Sequence, residues 1–314
     1  MNTDFLTFCR DNGIVIDYLP PLGRIRPYPT EDKPKSTNGR VMYDGDFGWC
    51  QNWRYQEKPV FWFRGKDAKT LTEAEKQQLK QRQMAESRRV AREQAKAISD
   101  MQAYFRTLKP LHGNHPYLEN KGLDIRGCAG LRVDGESLVI PMVRNGDLIS
   151  LQTIAPDGTK KFRYGCPTKG ASFQIGSSKA PIAIFCEGFA TGLTIYQAMP
   201  SSRVIVCFNA NGLRDVAVRT AKAFRGMACI CADNDHKTEK KPPYINPGLD
   251  KGKEAARAIG CGIAYPEGIE GSDWDDARQE WEEGISDPER ARRTALARVK
   301  TEIMRHVRAV KPVR

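Results

Sequence analysis

Residues 184–192 read "IFCEGFATG". Ile184 and Phe185 close an apolar run, Glu187 ends it, Gly188 turns the chain, and Phe189 opens a segment with helical spacing. The carboxyl ends of strands in an open parallel sheet are where ligands bind. Glu187 is therefore either a surface residue at a tight turn or one member of a site. What else reaches the same edge decides between the two.

Beyond this stretch the pattern alternates: strand 182–186, helix 189–199, strand 203–208, helix 214–224, strand 228–232, helix about 250–259, and a short strand at 262–265. That succession predicts a parallel sheet with helices on its faces, an α/β fold. The third strand, within "ACICADNDH" (228–236), also runs apolar and ends in carboxylates, Asp233 and Asp235. Further on, "GSDWDDARQEW" (271–281) places Asp273, Asp275 and Asp276 ahead of another helix. Taken singly, each acidic cluster reads as a turn or a helix cap. In this order they point to convergence at one edge. An Asp-x-Asp in extended chain sends both carboxylates to the same side. Hard oxygen ligands grouped this way suit Mg²⁺, which bridges readily to phosphates. With two ions such a site steers in-line phosphoryl or nucleotidyl transfer.

Upstream, "SLVIPMV" (137–143) and "LISLQTIA" (148–155) are strand-like and are joined by "RNGD", an Asn-Gly hairpin signal. The glycine-bounded loops "PDGTKKFRYG" and "PTKGASFQIG" follow, carrying Lys160, Lys161, Arg163 and Lys169. Residues 1–63 are aromatic and punctuated by Gly, Pro and Asn, which predicts a small β-rich module. In it Trp49, Trp53, Phe61 and Trp62 read more simply as the core of a small sheet than as a base-stacking platform.

The chain has 314 residues, room for roughly two domains, and 40% hydrophobic residues. No apolar run approaches a membrane span, and the start "MNTDFLTFCRDNG" lacks the pattern of a signal peptide, so a cytoplasmic protein is expected. Nine cysteines without a C-x-x-C pair fit that compartment as free thiols, and Cys229 and Cys231 read as core thiols. His112, His115 and Cys128 are read as packing residues rather than a metal group. The net charge is +12. Residues 64–109 hold 12 Lys/Arg against 6 Asp/Glu, and residues 285–314 hold 9 against 3. Both segments read as helices, so basic helices on a neutral body point to a polyanion partner.

With the order Glu-Gly, strand, then a strand ending Asp-x-Asp, residues 181–281 resemble the Toprim domain of primases, type IA and type II topoisomerases and some nucleases. The resemblance extends back to about residue 113. There "HPYLENKGL", "LVIPMVRNGDLISLQTIAPDGTKKF" and "TKGASFQIG" look like the half-domain preceding Toprim in DnaG-type primases and their phage and plasmid relatives. Composition, charge and the resemblance together divide the chain into five segments: a β-rich module (1–64), a basic helical linker (65–110), a mixed α/β half-domain (111–180), a Toprim domain (181–281) and a basic C-terminal helix (282–314).

The resemblance also implies roles. Glu187 would be acid/base or shared ligand, Asp233 and Asp235 would hold Mg²⁺ (Mn²⁺ as substitute), and Asp273 and Asp275 would assist a second ion. Lys161 and Lys169 would grip phosphates. The activity implied is synthesis of RNA primers from nucleoside triphosphates on a single-stranded DNA template, on a phage or mobile element, alongside a separate helicase or initiator. The alternatives are a Toprim nuclease using the same carboxylates, or a silent nucleic-acid-binding accessory. Three features depart from the family: no cysteine and histidine set has zinc-ligand spacing, no G-x-x-x-x-G-K-[ST] loop is present, and residues 236–249 read as a lysine-bearing insertion beside the Asp-x-Asp.

Overall fold

The computed structural model describes residues 4–35, 37–56, 58–64, 73–239 and 245–311. They form two units, residues 1–92 and 93–314.

The first unit contains helix α1 (Phe5–Asp11) and strands β1 (Arg26–Tyr28), β2 (Gly39–Tyr43), β3 (Phe47–Asn52) and β4 (Val60–Phe63), paired antiparallel in that order. Asp4 starts α1 by accepting the N–H groups of Leu6 and Thr7 at 2.9 and 3.0 Å. Strand alternation sends Val41, Tyr43, Cys50 and Trp62 to one face, where Phe5 and Cys9 of α1 cover them. Gly48 makes this docking possible, because a Cβ there would lie 2.3 Å from the Phe5 ring.

Helix α2 (Glu73–Thr107) follows, and the boundary between the units falls within it. Residues 65–72 of the expected linker lie outside the described residues. The last turns of α2 do more than link: Met101 is buried with Leu108, Val139 and Leu151, and Gln102 Nε2 donates to the Leu148 carbonyl at 2.8 Å.

Those partners belong to an antiparallel meander of β5 (Lys109–Pro110), β6 (Arg132–Asp134), β7 (Ser137–Arg144), β8 (Asp147–Ile154) and β9 (Lys160–Phe162), with α3 (Pro116–Asn120) inserted after β5. The β7–β8 turn is the expected hairpin, with Asn145 at φ 55° and Gly146 at φ 90°.

Next come β10 (Phe173–Ile175), β11 (Ile182–Cys186), α4 (Phe189–Ala198), β12 (Arg203–Val206), α5 (Ala210–Ala221), β13 (Met227–Cys231), α6 (His236–Glu239), α7 (Pro247–Ile259), β14 (Gly262–Ala264), α8 (Trp274–Glu282), α9 (Pro288–Met304) and β15 (Arg308–Ala309). The sheet order is β10-β12-β11-β13-β14, with β15 also on β13. Strands β12, β11, β13 and β14 are parallel, while β10 and β15 run antiparallel. Strands of this kind are apolar on both faces because both are covered. Ile184, Cys186, Cys229 and Cys231 face α4, α9 and the meander residues Leu138, Ile140 and Met142. Ala183, Phe185, Ala228 and Ile230 face α5 and α7. The meander and the parallel sheet therefore share one core.

The basic tail is not a free helix. Ala291, Ala295, Val299 and Ile303 form a buried stripe along α9 at four-residue spacing, and β15 extends the sheet. Among the described residues no helix is long and apolar enough to cross a membrane.

Candidate active site

Parallel pairing of β11 with β13 places Cys186 opposite Cys231, so Glu187 and Asp233 leave adjacent strands at the same edge. Beyond β13 the Ala232 N–H still bonds the Ala264 carbonyl at 3.0 Å. Asn234 then ties this segment to the approach of α8, its N–H donating to the Ser272 carbonyl at 2.7 Å and its Nδ2 to the Pro266 carbonyl at 2.8 Å. Asp273 caps α8, its Oδ1 accepting the N–H groups of Asp275 and Asp276 at 2.7 and 3.0 Å. Three acidic segments thus converge.

Their titration records the crowding. Burial pushes the Glu187 carboxyl up to about 7, helped by the charges of Asp235 and Asp273 and opposed by the backbone N–H groups of Asp233 and Ala210. Burial also drives Asp233 well above the carboxylate range, with Glu187, Asp273 and Asp235 adding repulsion and Lys160 opposing it. Asp273 is raised by burial and by Asp276. Glu187 Oε1 and Asp233 Oδ1 are buried without a hydrogen-bond partner among the described residues. Asp235 is held by its Oδ2, which accepts the Gly248 N–H at 3.0 Å. A Cβ at Gly248 would meet the Asp233 carbonyl at 2.6 Å, so this close approach of α7 needs glycine.

These residues fit a magnesium ion. No three Asp, Glu, His or Cys side chains among the described residues already enclose one. Mg²⁺ does not ask for that, since it is held by one or two carboxylates plus waters and substrate phosphates. The orphaned oxygens of Glu187 and Asp233 are anionic donors of the required type.

Asp275 does not join them. Its side chain is fully buried and both oxygens are committed: Oδ2 to Lys121 Nζ at 2.6 Å and Gln279 Nε2 at 3.0 Å, Oδ1 to Thr194 Oγ1 at 2.9 Å and Arg278 Nη2 at 2.8 Å. The Arg278 and Lys121 cations hold its carboxyl below the usual range despite burial. The expected second-ion ligand is instead the centre of a buried ion-pair network. Arg278 extends it to Glu282 at 2.8 Å, and Glu282 to Arg292 of α9 at 3.0 Å.

The lysines also sort differently from expectation. In the β8–β9 pairing Lys160 lies opposite Ile154 and Phe162 opposite Gln152, while Lys161 lies opposite Thr153. Ile154 belongs to the core shared with the parallel sheet, whereas Leu151, two residues before Thr153, packs toward α2. Lys160 and Phe162 therefore face the acidic edge and Lys161 faces away. Lys160 is the cation that opposes the rise of Asp233. Lys169 lies 3.9 Å from Asp215 of α5 and is 85% exposed. Its loop is fixed by Arg144 Nη1 on the Lys169 carbonyl at 3.1 Å and Arg219 Nη1 on the Gly170 carbonyl at 2.6 Å.

Phe208 is a site residue without a sequence signal. It follows β12 at φ 67°, a costly conformation for a bulky residue. Its N–H donates to the Glu187 carbonyl at 2.9 Å, and its ring meets Phe162 edge-on at 6.4 Å. His115 is structural: its Nδ1 accepts the Tyr117 N–H at 3.2 Å and its Nε2 lies 2.8 Å from the Glu136 carbonyl.

Residues 182–283 match the family model described as Toprim domain. The chain carries a Toprim domain. Two Escherichia coli proteins, each named DNA primase TraC, are similar to it. One is 28% identical over 165 residues, covering 51% of this chain and 16% of the relative. The other is 30% identical over 166 residues, covering 51% and 11%. The chain thus spans less than a fifth of those relatives' length. Among solved structures, the primase fragment of the bacteriophage T7 primase-helicase is similar at a TM-score of 0.39 and 15% identity, over 63% of this chain and 80% of that one. The RNA polymerase domain of Mycobacterium tuberculosis primase DnaG is similar at 0.31 and 15%, over 62% of each. Likeness at that level assigns no residue a role. In this Toprim domain the acidic edge is built by Glu187, Asp233, Asp235 and Asp273.

Proposed function

We propose that this chain is a Mg²⁺-dependent, cytoplasmic DNA primase that makes short RNA primers on single-stranded DNA, serving the replication of a phage or mobile element. The observation that carries the reading is one edge where burial and neighbouring carboxylates raise the proton affinity of Glu187, Asp233 and Asp273, while Lys160 of the meander faces them. The matching TraC proteins bear the name DNA primase, which supports it.

In the proposed reaction the 3′-hydroxyl of one nucleotide attacks the α-phosphorus of a nucleoside triphosphate. The bond to the bridging oxygen breaks and pyrophosphate leaves. Mg²⁺, bound by Asp233 and Asp235 and shared with Glu187, would supply charge neutralisation at the triphosphate. Glu187, raised to about 7, is suited to take the hydroxyl proton near neutral pH. Lys160 would pair with phosphate oxygens at the acidic edge, and Lys169 would meet phosphate from the neighbouring loop. The exposed basic residues of α2 and α9 would hold the template, and a separate helicase or initiator would deliver it. A nuclease would need the carboxylates but not a cation facing them from the meander.

The test is incubation with single-stranded DNA, Mg²⁺ and labelled nucleoside triphosphates, scored for extension against degradation. Labelled oligonucleotides support the primase. Degradation alone replaces it with a nuclease.

A further inference from the structure

The four-stranded sheet of the first unit has a second face. The same alternation that sends Val41, Tyr43, Cys50 and Trp62 to the face under α1 puts Arg40, Met42, Phe47, Trp49, Gln51 and Phe61 on the other. There Phe47 is buried with its ring stacked on Phe61, and the rest are half-exposed or exposed. Phe61 pairs across strands with Trp49, which pairs with Met42, and Arg40 pairs with Gln51. At the end of β3 the Arg40 guanidinium lies 4.7 Å over the Trp53 ring. Trp53 is 60% exposed and Phe61 is 49% exposed. Of the four aromatic residues, Trp62 alone belongs to the core under α1. The reading of all four as sheet core is thereby corrected.

Large aromatic side chains are worth burying, and a fold that leaves them in a row on a sheet has left π-faces available. The chemistry beside them is cationic. Arg40 Nη1 is anchored by the Thr37 and Gly39 carbonyls at 2.6 and 2.9 Å, and no carboxylate pairs with it among the described residues. Its planar group is thus held over an indole, and among the described residues no carboxylate neutralises its charge. Arginine held in this way on exposed aromatic rings suits a ligand of planar rings joined by phosphates.

We propose that this face binds single-stranded DNA, with bases stacking on Trp53 and on the Phe61–Trp49 pair while Arg40 contacts a phosphate. Stacking of this kind tolerates any sequence, so the first unit would hold template without reading it and without a metal ion. The proposal shares with the primase reading only the premise that the chain meets single-stranded DNA.

The experiment uses the full chain and a fluorescent oligo-dT, in metal-free buffer at several salt concentrations. Trp53→Ala combined with Phe61→Ala should weaken binding roughly 10-fold or more at each salt concentration, with the salt slope retained. Trp53→Tyr with Phe61→Trp keeps the rings and should bind like the unmodified chain. Arg40→Gln should flatten the log–log salt slope by about 0.7, the share of one phosphate. Circular dichroism checks that each variant is folded. Unchanged affinity in the double alanine variant overturns the proposal. So does a dimer of the unmodified chain that the alanine variant dissolves with DNA affinity intact, which would assign the face to a second copy. Absence of primer synthesis with this pattern intact would sink the primase reading and leave the stacking face standing.

Discussion

Asp273 and Asp275 stand two residues apart at the start of α8, and their surroundings drive their carboxyl groups in opposite directions. Asp273 is raised by burial and by Asp276 among the acids of the Toprim edge, whereas Asp275 is lowered by Arg278 and Lys121. One position lies among the proposed metal-site acids and the other holds the fold. Asp275→Asn should cost about 3–5 kcal/mol, because it leaves the part-buried Lys121 without its anion and the buried Arg278 with Glu282 alone. Asp273→Asn keeps a good N-cap and should change stability by less than about 1 kcal/mol. Urea unfolding of the two variants measures the contrast. A lowered folded pKa stabilises above the unfolded value and fails as pH falls through the folded one, so the Asp275 contribution should disappear only in acid.

Glu187 carries the opposite sign. Its folded pKa of about 7 exceeds the unfolded value near 4.5, so its contribution is favourable below about 4.5 and is lost as pH rises through 7. Without Mg²⁺ the native state should therefore be strained at pH 8. Glu187→Gln should raise the melting temperature there by a few degrees and change it little at pH 4.5. Thermal scans at the two pH values decide this. A melting temperature at pH 8 that falls on substitution would contradict the crowded edge.

Much of the Toprim domain was legible in the chain, because parallel strands covered on both faces appear as unbroken apolar runs, as at 182–186 and 228–231. Glu187 and Asp233 were legible for the same reason, since each ends such a run. Asp275 was not. Its partners Lys121 and Thr194 lie 154 and 81 residues away along the chain, and no local pattern announces them. The choice between Lys160 and Lys161 also had to wait for the β8–β9 register, which alone tells the two faces of β9 apart. Helix starts slipped where a cap was hidden: Asn209 starts α5 at Ala210, and Asn246 starts α7 at Pro247, inside a stretch that reads as loop.

Charge similarly hides the apolar stripe of α9, which divides the helix into a packing face and an exposed basic face. Val299→Ala and Ile303→Ala remove buried groups and should cost about 1.5–3 and 2–5 kcal/mol. Arg293 and Lys300 are exposed on the same helix. Replacing both with glutamine should leave stability within about 0.5 kcal/mol. It should also flatten the salt dependence of single-stranded DNA binding by about 0.7 for each phosphate that is no longer neutralised. An unchanged slope would make the exposed face of α9 a solvated surface.

Lys160 and Lys161 provide an internal control, being adjacent, exposed and on opposite faces of one strand. Lys160→Ala should lower primer synthesis by about 2–4 kcal/mol in transition-state terms, the loss expected for a well-placed donor. Lys161→Ala should leave it within a few-fold. Steady-state extension rates at matched nucleotide concentrations compare them, and the reverse order would mean that the Lys161 side faces the substrate.

The sharpest separation between structure and chemistry lies at Asp233 and Asp235. Replacing both with asparagine keeps size and hydrogen-bonding capacity, and an asparagine at 235 can still accept the Gly248 N–H. It removes two charges from an edge where carboxylates repel, so the metal-free variant should be as stable as the unmodified chain or more so at pH 8. Single-stranded DNA should bind at least as tightly, because repulsion of phosphate is reduced. Mg²⁺ depends on anionic oxygen, so stabilisation of the protein by added Mg²⁺ should vanish, and primer synthesis should fall by several orders of magnitude. Melting curves with and without Mg²⁺ and an extension assay on the same preparation read both effects. Primer synthesis near the normal rate in this variant would remove Asp233 and Asp235 from the metal site, whatever becomes of the fold.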